Sequence, residues 1–460
     1  MRNKFTLAFA ISFVAAAVLN AADTSKPNIV FIFADDWGWG DLSCHGHPYV
    51  KTPNIDRLAR EGADFTRFTV ASGVCSPSRT AVMTGHFPAR YNIDGHFAWP
   101  KNNAQRNMPD WLDPRTPTLP KMLQSAGYAT AHFGKWHLSN DMIPDSPLPK
   151  FYGYDEYGAF NCAGEQMPVH EDARHAIAFM EKSVAAQKPF FINLWMHEPH
   201  TPFHTVPKYE WRFRDIKNRE DQIYASVLSH ADDRIGEVLA TLDRLRINEN
   251  TLVIFSSDNG PARGSEKAKL DLQYDTATGA GWGIAASKGV TAGRKGYKAA
   301  LFEGGINVPF IARWPGKIPA GKRDNTSLIS AVDLLPTFCE LAGATPPKGY
   351  QPDGISQVEV LKGKASATRT KPLFWKMGGG KDSEFHWANY AVVDQQWKLL
   401  TTADATRVEL YDIAADALET KDLASDKAEV VGAITAKLAQ WKASLPEKPN
   451  GTVFSAERAK

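Results

Sequence analysis

Several short polar segments of this chain carry side chains able to act as nucleophiles, acids or ion ligands. The most tightly patterned is Cys75-Ser76-Pro77-Ser78-Arg79. Pro77 and the two serines read as a turn, and a helix-compatible run, Arg79 to Met83, follows and closes at Thr84-Gly85. The residue-75 side chain is therefore expected close to a helix N-terminus, where unpaired backbone N–H groups favour negative charge. Arg79 adds a fixed positive charge one turn further on. A cysteine so placed is either an activated thiolate or a small buried residue ahead of a helix.

The other reactive groups stand at strand ends. Asn28–Ala34, NIVFIFA, is a continuous apolar run rich in β-branched residues and reads as a buried parallel strand. It runs directly into Asp35-Asp36. Adjacent carboxylates repel unless something positive neutralises them, and hard oxygen ligands suit Ca²⁺ or Mg²⁺; a solvated acidic turn is the plainer alternative. Thr251–Ser257, TLVIFSS, is a second such strand and ends in Asp258-Asn259-Gly260. If the two strands are parallel neighbours, their ends meet at one crevice, and Asp35, Asp36, Asp258 and Asn259 become a four-ligand oxygen site. Two more strands end in bases. Tyr128–Phe133 leads into Gly134-Lys135-Trp136-His137, and Pro189–Met196 into His197-Glu198-Pro199-His200. Alone, such a lysine or histidine is unremarkable, since a strand-end histidine commonly bonds to backbone.

The remaining elements must position these groups. Thr52–Gly62 reads as a short helix with Pro53 in its first turn, Phe65–Ala71 as a strand feeding the Cys75 turn, and Tyr91–Pro117 as a long loop carrying His96, Trp99, Trp111 and Arg115. The aromatic residues of such a loop can line a sugar pocket or simply fill surface. Thr118–Ala126, Asp172–Ala186 and Tyr224–Leu242 read as helices, Phe310–Trp314 as a strand, and Gly264–Gly293 as a Gly/Ala-rich loop. Past Lys362–Lys371 the texture changes. Pro372–Met377, Ala388–Asp394 and Trp397–Thr402 alternate like antiparallel strands, with Asp394-Gln395-Gln396 as a turn, and Glu429–Leu445 closes the chain as a helix.

The chain has 460 residues, 43% hydrophobic and 23% charged, enough for a large core and two domains. Met1–Ala21 has a basic start (Arg2, Lys4), an apolar run from Leu7 to Leu19 and small residues for cleavage, the pattern of a secretory signal. Removing it leaves 51 basic against 51 acidic side chains, a balance that points to neither nucleic acid nor a membrane surface. Cys44, Cys75, Cys162 and Cys339 do not show the spacing of a zinc site, and export permits at most one disulfide among the three other than Cys75.

The pattern C-x-P-S-R-x-x-x-M-T-G resembles the signature of the type I sulfatases, in the alkaline phosphatase superfamily, and the likeness extends over nearly the whole mature chain. G-K-W-H at Gly134–His137, P-F-F…P-H-x-P from Pro189 to Pro202, and the run from Gly293 to Pro309 with its E-G-G are similar to segments of that family. The resemblance implies that Cys75 is oxidised to Cα-formylglycine, whose hydrate supplies the nucleophilic oxygen. It implies one Ca²⁺ on Asp35, Asp36, Asp258 and Asn259, with residue 75 as a further ligand. It assigns Lys135 and Lys298 to the sulfate, with Arg294 and Lys295 as runners-up to Lys298, and Arg79 to charge balance. It assigns His137 to the formylglycine hydrate and His200 to the sulfate and the leaving oxygen, with His197 as rival. Many members of the family have Arg where this chain has Asn307, a departure on which no assigned role depends.

The implied fold is α/β, a large mixed and mostly parallel sheet flanked by helices, with a smaller C-terminal α+β subdomain carrying an antiparallel sheet. The divisions are 1–21 signal, 22–365 catalytic and 366–460 C-terminal. The implied partners are a sulfated carbohydrate substrate and a formylglycine-generating or anaerobic sulfatase-maturing enzyme, and the implied location is periplasmic or extracellular. Two rivals remain at this point: a formylglycine-dependent phosphodiester or phosphonate hydrolase, against which a single pair of acidic strand ends argues, and a non-catalytic sugar-binding relative.

Overall fold

The computed structural model describes residues 26–200, 207–263, 289–364, 369–378 and 384–459. Met1–Ala21, most of Gly264–Gly293, Thr201-Pro202 and part of Lys362–Lys371 lie outside the described residues. In chain order the strands are β1 Asn28–Ala34, β2 Ala63–Phe65, β3 Phe68–Thr69, β4 Ala129–Lys135, β5 Glu156–Phe160, β6 Phe190–Trp195 and β7 Thr251–Ser257. There follow β8 Phe310–Arg313, β9 Lys322–Asp324, β10 Ile329–Ser330, β11 Leu373–Lys376, β12 Tyr390–Asp394, β13 Trp397–Thr401 and β14 Val408–Asp412. An 8-stranded sheet has the order β5-β4-β6-β1-β7-β8-β2-β9. From β5 to β7 all pairs are parallel; β8 runs antiparallel to both β7 and β2.

The alternation of β1 explains why its sequence is apolar throughout. Ile29, Phe31 and Phe33 face one hydrophobic core, and Val30, Ile32 and Ala34 face another on the opposite side. A strand covered on both faces has no polar side to present. The second core is closed by helices Pro53–Glu61, Asp172–Ala185 and Arg219–Leu245. The first is closed by helices Cys75–Thr84, Leu119–Ser125 and Leu334–Ala342, and it continues into the 4-stranded antiparallel sheet β11-β12-β13-β14 and the helix Ala428–Ala443.

Three expectations are corrected. The strand expected over Phe65–Ala71 is split: β2 pairs with β8 and β9 while β3 pairs with β10, because the chain changes sheets at Thr66-Arg67. The loop Tyr91–Pro117 contains a helix, Pro100–Gln105. Cys75 is the first residue of the helix Cys75–Thr84 rather than part of a turn before it; Pro77 lies in the first turn, where no intrahelical N–H is needed. All four cysteines are free. Among the described residues, no helix is long and apolar enough to cross a membrane.

Candidate active site

β1 and β7 are parallel neighbours in register, with Ala34 opposite Ser257. That pairing sets Asp35-Asp36 beside Asp258-Asn259. The Asp36 amide donates to Asp258 Oδ1 at 3.2 Å, Asn259 Nδ2 donates to Asp36 Oδ1 at 2.7 Å, and the Trp37 amide donates to Ser257 Oγ at 2.8 Å. The four candidate ligands are fully buried. Asp36 has a left-handed backbone (φ 65°), as does His137 (φ 50°). Strained non-glycine positions of this kind persist where surrounding structure over-determines them.

The neighbouring strand ends deliver the bases. β4 carries Lys135 to Asp35, which its ammonium contacts directly. Gly134, at φ 110°, is required there: a Cβ would lie 2.0 Å from the Trp195 carbonyl oxygen of β6. Arg79, fully buried, donates from Nε and Nη2 to Asp258 Oδ2 at 3.0 and 2.7 Å and from Nη1 to the Lys135 carbonyl at 3.0 Å, and its guanidinium lies 4.9 Å from the Trp195 ring centre. Lys298 Nζ sits 2.8 Å from Asp36 Oδ2 and 2.7 Å from Oδ1. Its segment is brought in by a close backbone approach: a Cβ at Gly260 would meet the Gly304 carbonyl at 1.9 Å.

Cys75 Sγ lies 3.1 Å from His137 Nδ1, and His137 Nε2 lies 3.0 Å from the Phe97 carbonyl. A carbonyl only accepts, so Nε2 carries the proton and Nδ1 turns its lone pair to residue 75. Burial, with the positive field of Lys135, holds His137 well below the usual imidazole range, so the ring is neutral. Burial likewise lowers His200, whose Nε2 is 3.8 Å from Asp36 Oδ2. The His200 side chain is 24% exposed, whereas His197, lowered to about 4 chiefly by burial, is packed edge-on against Phe160. Of the two histidines, His200 opens to the crevice.

The donor set fits a hard divalent cation. Burial pushes Asp36 and Asp258 up, and the Asp35 carboxylate beside them adds to the shift; Asp35 itself is also opposed by burial, but His200 first, then Lys135, Arg79 and Lys298, hold it well below the usual carboxylate range. Asp35 Oδ1 and Asn259 Oδ1 are buried acceptors with no hydrogen-bond partner. Asp35, Cys75 and Asp258 present ligand atoms within 4.8 Å of one another. Buried acceptors left unpaired beside carboxylates raised by burial are the surroundings an oxygen-seeking cation relieves.

The structure thus brings together Asp35, Asp36, Cys75, Arg79, Lys135, His137, His200, Asp258, Asn259 and Lys298. It does not bring in the runners-up to Lys298: Arg294 stacks 3.6 Å over the Trp39 ring, and Lys295 Nζ bonds Tyr411 Oη at 2.8 Å. Of the loop residues, His96 remains on the surface with its ring centre 6.4 Å from that of His137, and Trp99 is exposed. Trp111 is buried against Ile143 and Val453, and Arg115 pairs with Asp113. Sequence reasoning missed the Phe97 carbonyl, for which no residue type could signal, and Trp195, whose indole face under Arg79 is hidden within an apolar strand.

Three comparisons with known proteins bear on this crevice. The model of the family described as Sulfatase matches residues 27–344, and that described as N-sulphoglucosamine sulphohydrolase, C-terminal, matches residues 295–444. The N-acetylgalactosamine-6-sulfatase of Canis lupus familiaris is 32% identical over 410 residues, covering 79% of this chain and 71% of that protein. The N-acetylgalactosamine-6-O-sulfatase of Bacteroides thetaiotaomicron is 27% identical, covering 90% of this chain and 92% of that protein. The crystal structure of Ps i-CgsB in complex with k-i-k-neocarrahexaose superposes with a TM-score of 0.75 at 26% identity, over 93% of this chain and 96% of that one.

Proposed function

This chain belongs to the sulfatase family, and we propose that it hydrolyses sulfate esters carried on a carbohydrate, using a Cα-formylglycine derived from Cys75 and one bound Ca²⁺. The observation that carries this reading is the convergence of residue 75, three buried carboxylates, Asn259 and the bases Lys135, His137, His200 and Lys298 on one crevice. The hydrated aldehyde supplies an oxygen nucleophile in place of the thiol. Asp35, Asp36, Asp258 and Asn259, with residue 75, would hold the ion, which when bound supplies Lewis acidity toward sulfate oxygens.

The chain's own side chains do the rest. One hydroxyl oxygen of the residue-75 hydrate bonds to sulfur, its proton passing to a neighbouring carboxylate, as the S–O bond to the alcohol breaks; negative charge grows on the bridging oxygen, so the leaving alcohol needs a proton and the sulfate needs cations. Lys298 and Lys135 meet the sulfate oxygens, and Arg79 fixes the Asp258 carboxylate from behind. His200 gives its proton to the leaving oxygen; the charge of a bound sulfate favours its protonated form. His137 Nδ1 then takes the proton of the residue-75 hydroxyl. That O–H electron pair closes the C=O bond, the C–O bond to sulfate breaks, and sulfate leaves with the bonding pair. No water attacks sulfur.

The names of the relatives support a sulfated sugar as substrate: N-acetylgalactosamine sulfatases on the one hand, a neocarrahexaose complex on the other. Met1–Ala21 supports export to the periplasm or medium, where a maturation enzyme would already have acted on Cys75. The test is the mass of the tryptic peptide containing residue 75, from protein made in its own host, read beside release of sulfate from an aryl sulfate and from sulfated oligosaccharides. Thiol-to-aldehyde conversion in active protein is expected, and chelation of Ca²⁺ is expected to abolish turnover. An unmodified thiol in protein that still turns over would sink the mechanism.

A further inference from the structure

The sulfate-releasing step asks for one tautomer of His137, and the groups that set it lie outside the catalytic set. The Phe97 carbonyl accepts from His137 Nε2 at 3.0 Å and from Asn140 Nδ2 at 3.1 Å. It is the bond that distinguishes the two ring nitrogens, yet Phe97 lies in a stretch without regular secondary structure. A buried polar chain holds it. The Phe97 amide donates to Ser76 Oγ at 3.0 Å. The Asn103 side chain clasps Ala98, accepting from its amide, which shares a peptide group with the Phe97 carbonyl, and donating to its carbonyl, each at 3.0 Å. Asn103 Nδ2 also donates to Asp110 Oδ1 at 3.0 Å, and both residues are fully buried.

Asp110 in turn is latched by the far end of the chain. Its Oδ2 accepts from Arg458 Nε at 2.5 Å and from the Ser455 amide at 2.8 Å, and its Oδ1 accepts from Arg458 Nη2 at 3.0 Å. The Asp110 amide donates to the Val453 carbonyl at 2.8 Å. Ser455 Oγ and the Ala456 amide are tied to Asp145 at 2.6 and 2.8 Å. The hydrogen-bonded path runs unbroken from Arg458 through Asp110 and Asn103 to the peptide that follows Phe97. Satisfied buried networks of this kind rigidify what they join.

We propose that Asn103 and Asp110, latched by Arg458, are positioning residues for His137: they hold the Phe97 carbonyl so that Nδ1 rather than Nε2–H faces residue 75. The proposal rests on the reading of His137 given above, and its test separates the two. In protein from a host lacking the maturation enzyme, residue 75 stays cysteine. With ¹⁵N-labelled histidine, the His137 signals, identified by their loss in His137→Gln, report the tautomer without any turnover. Nε2–H is expected in the native protein, and a mixed population in Asn103→Asp and in Arg458→Gln. In matured protein the same variants are expected to lose about tenfold or more in kcat with kcat/KM within about twofold, because only the second step slows. A burst of aryl alcohol is expected to appear, and Arg458→Lys is expected to restore most of kcat. An unchanged tautomer, or kcat and kcat/KM falling together without a burst, would overturn the positioning role. Native protein that releases no sulfate would overturn the sulfatase reading while leaving the tautomer measurement decisive. Arg458, with a partly exposed side chain, serves where Asn103→Asp fails to fold.

Discussion

At the scale of single residues, the cations of the crevice divide by access. Arg79 is sealed behind Asp258, Lys135 rests on Asp35 at the floor of the crevice, and the Lys298 side chain is 22% exposed and reaches Asp36 from the open side. Lys298→Ala is therefore expected to cost about 10²–10³-fold in kcat/KM on an aryl sulfate; unchanged turnover would refute its role. A second residue sets an acid limit on the fold. His132 is buried among Trp136, Tyr154 and Trp195, with neither ring nitrogen partnered by a side chain, and burial together with Arg79 pushes it down to about 3. The unfolded chain titrates near 6.5, so below that pH the unfolded state binds the extra proton. The contribution of neutral His132 is thus fully present above about pH 6.5 and is lost as pH falls toward 3, at about 1 kcal/mol per unit. Urea unfolding of His132→Phe at pH 7, 6 and 5 should show a flatter decline than the native chain, and parallel curves would remove His132 as a cause.

At the scale of elements, a long-range cap joins two helices. Asp232, in the helix Arg219–Leu245, accepts from the Asn54 and Ile55 amides at 3.1 and 2.9 Å and from Asn54 Nδ2 at 2.9 Å. It does for the helix Pro53–Glu61 what a local cap residue would do, since Thr52 makes no side-chain cap. Asp232→Ala is expected to cost about 1–2 kcal/mol, read as a lowered midpoint in urea with unchanged slope; an unshifted midpoint would show that water replaces the cap. The partnership of Asp232 with Asn54 and Ile55 is not legible in the sequence, because the two helices are far apart in the chain.

At the scale of the molecule, the C-terminal sheet grips the segment that carries Lys298. Lys398 Nζ, fully buried on β13, lies 2.8 Å from Glu303 Oε1 and 2.8 Å from Glu419 Oε1, and the Glu303 amide donates to Glu419 Oε2 at 2.7 Å. Lys295 bonds Tyr411 of β14 on the near side of Lys298. Removing the cation leaves two buried carboxylates facing each other, so Lys398→Met is expected to destabilise by about 3–5 kcal/mol. Both unfolding and aryl-sulfate turnover should register it; a variant as stable as the native chain would mean the triad contributes nothing to the joint.

By itself the sequence determined the elements and their chemistry. Runs such as Asn28–Ala34 and Thr251–Ser257 are apolar without alternation, which only a strand covered on both faces requires, and each stops where a carboxylate begins. The Cys75 signature, the G-K-W-H segment and the P-H pair mark candidate side chains through their likeness to sulfatase segments, since side-chain type and local order are written in the chain. Tertiary structure alone decided how they meet. The register of β1 on β7 makes one site of Asp35-Asp36 and Asp258-Asn259, and the backbone approach at Gly260 brings in Lys298 rather than Arg294 or Lys295. The thiols of Cys44, Cys162 and Cys339 stay unpaired in the fold, although export would permit a bridge among them. The tautomer of His137 depends on a backbone carbonyl, which every residue possesses and no sequence distinguishes, held in place by residues that reach it only through folding.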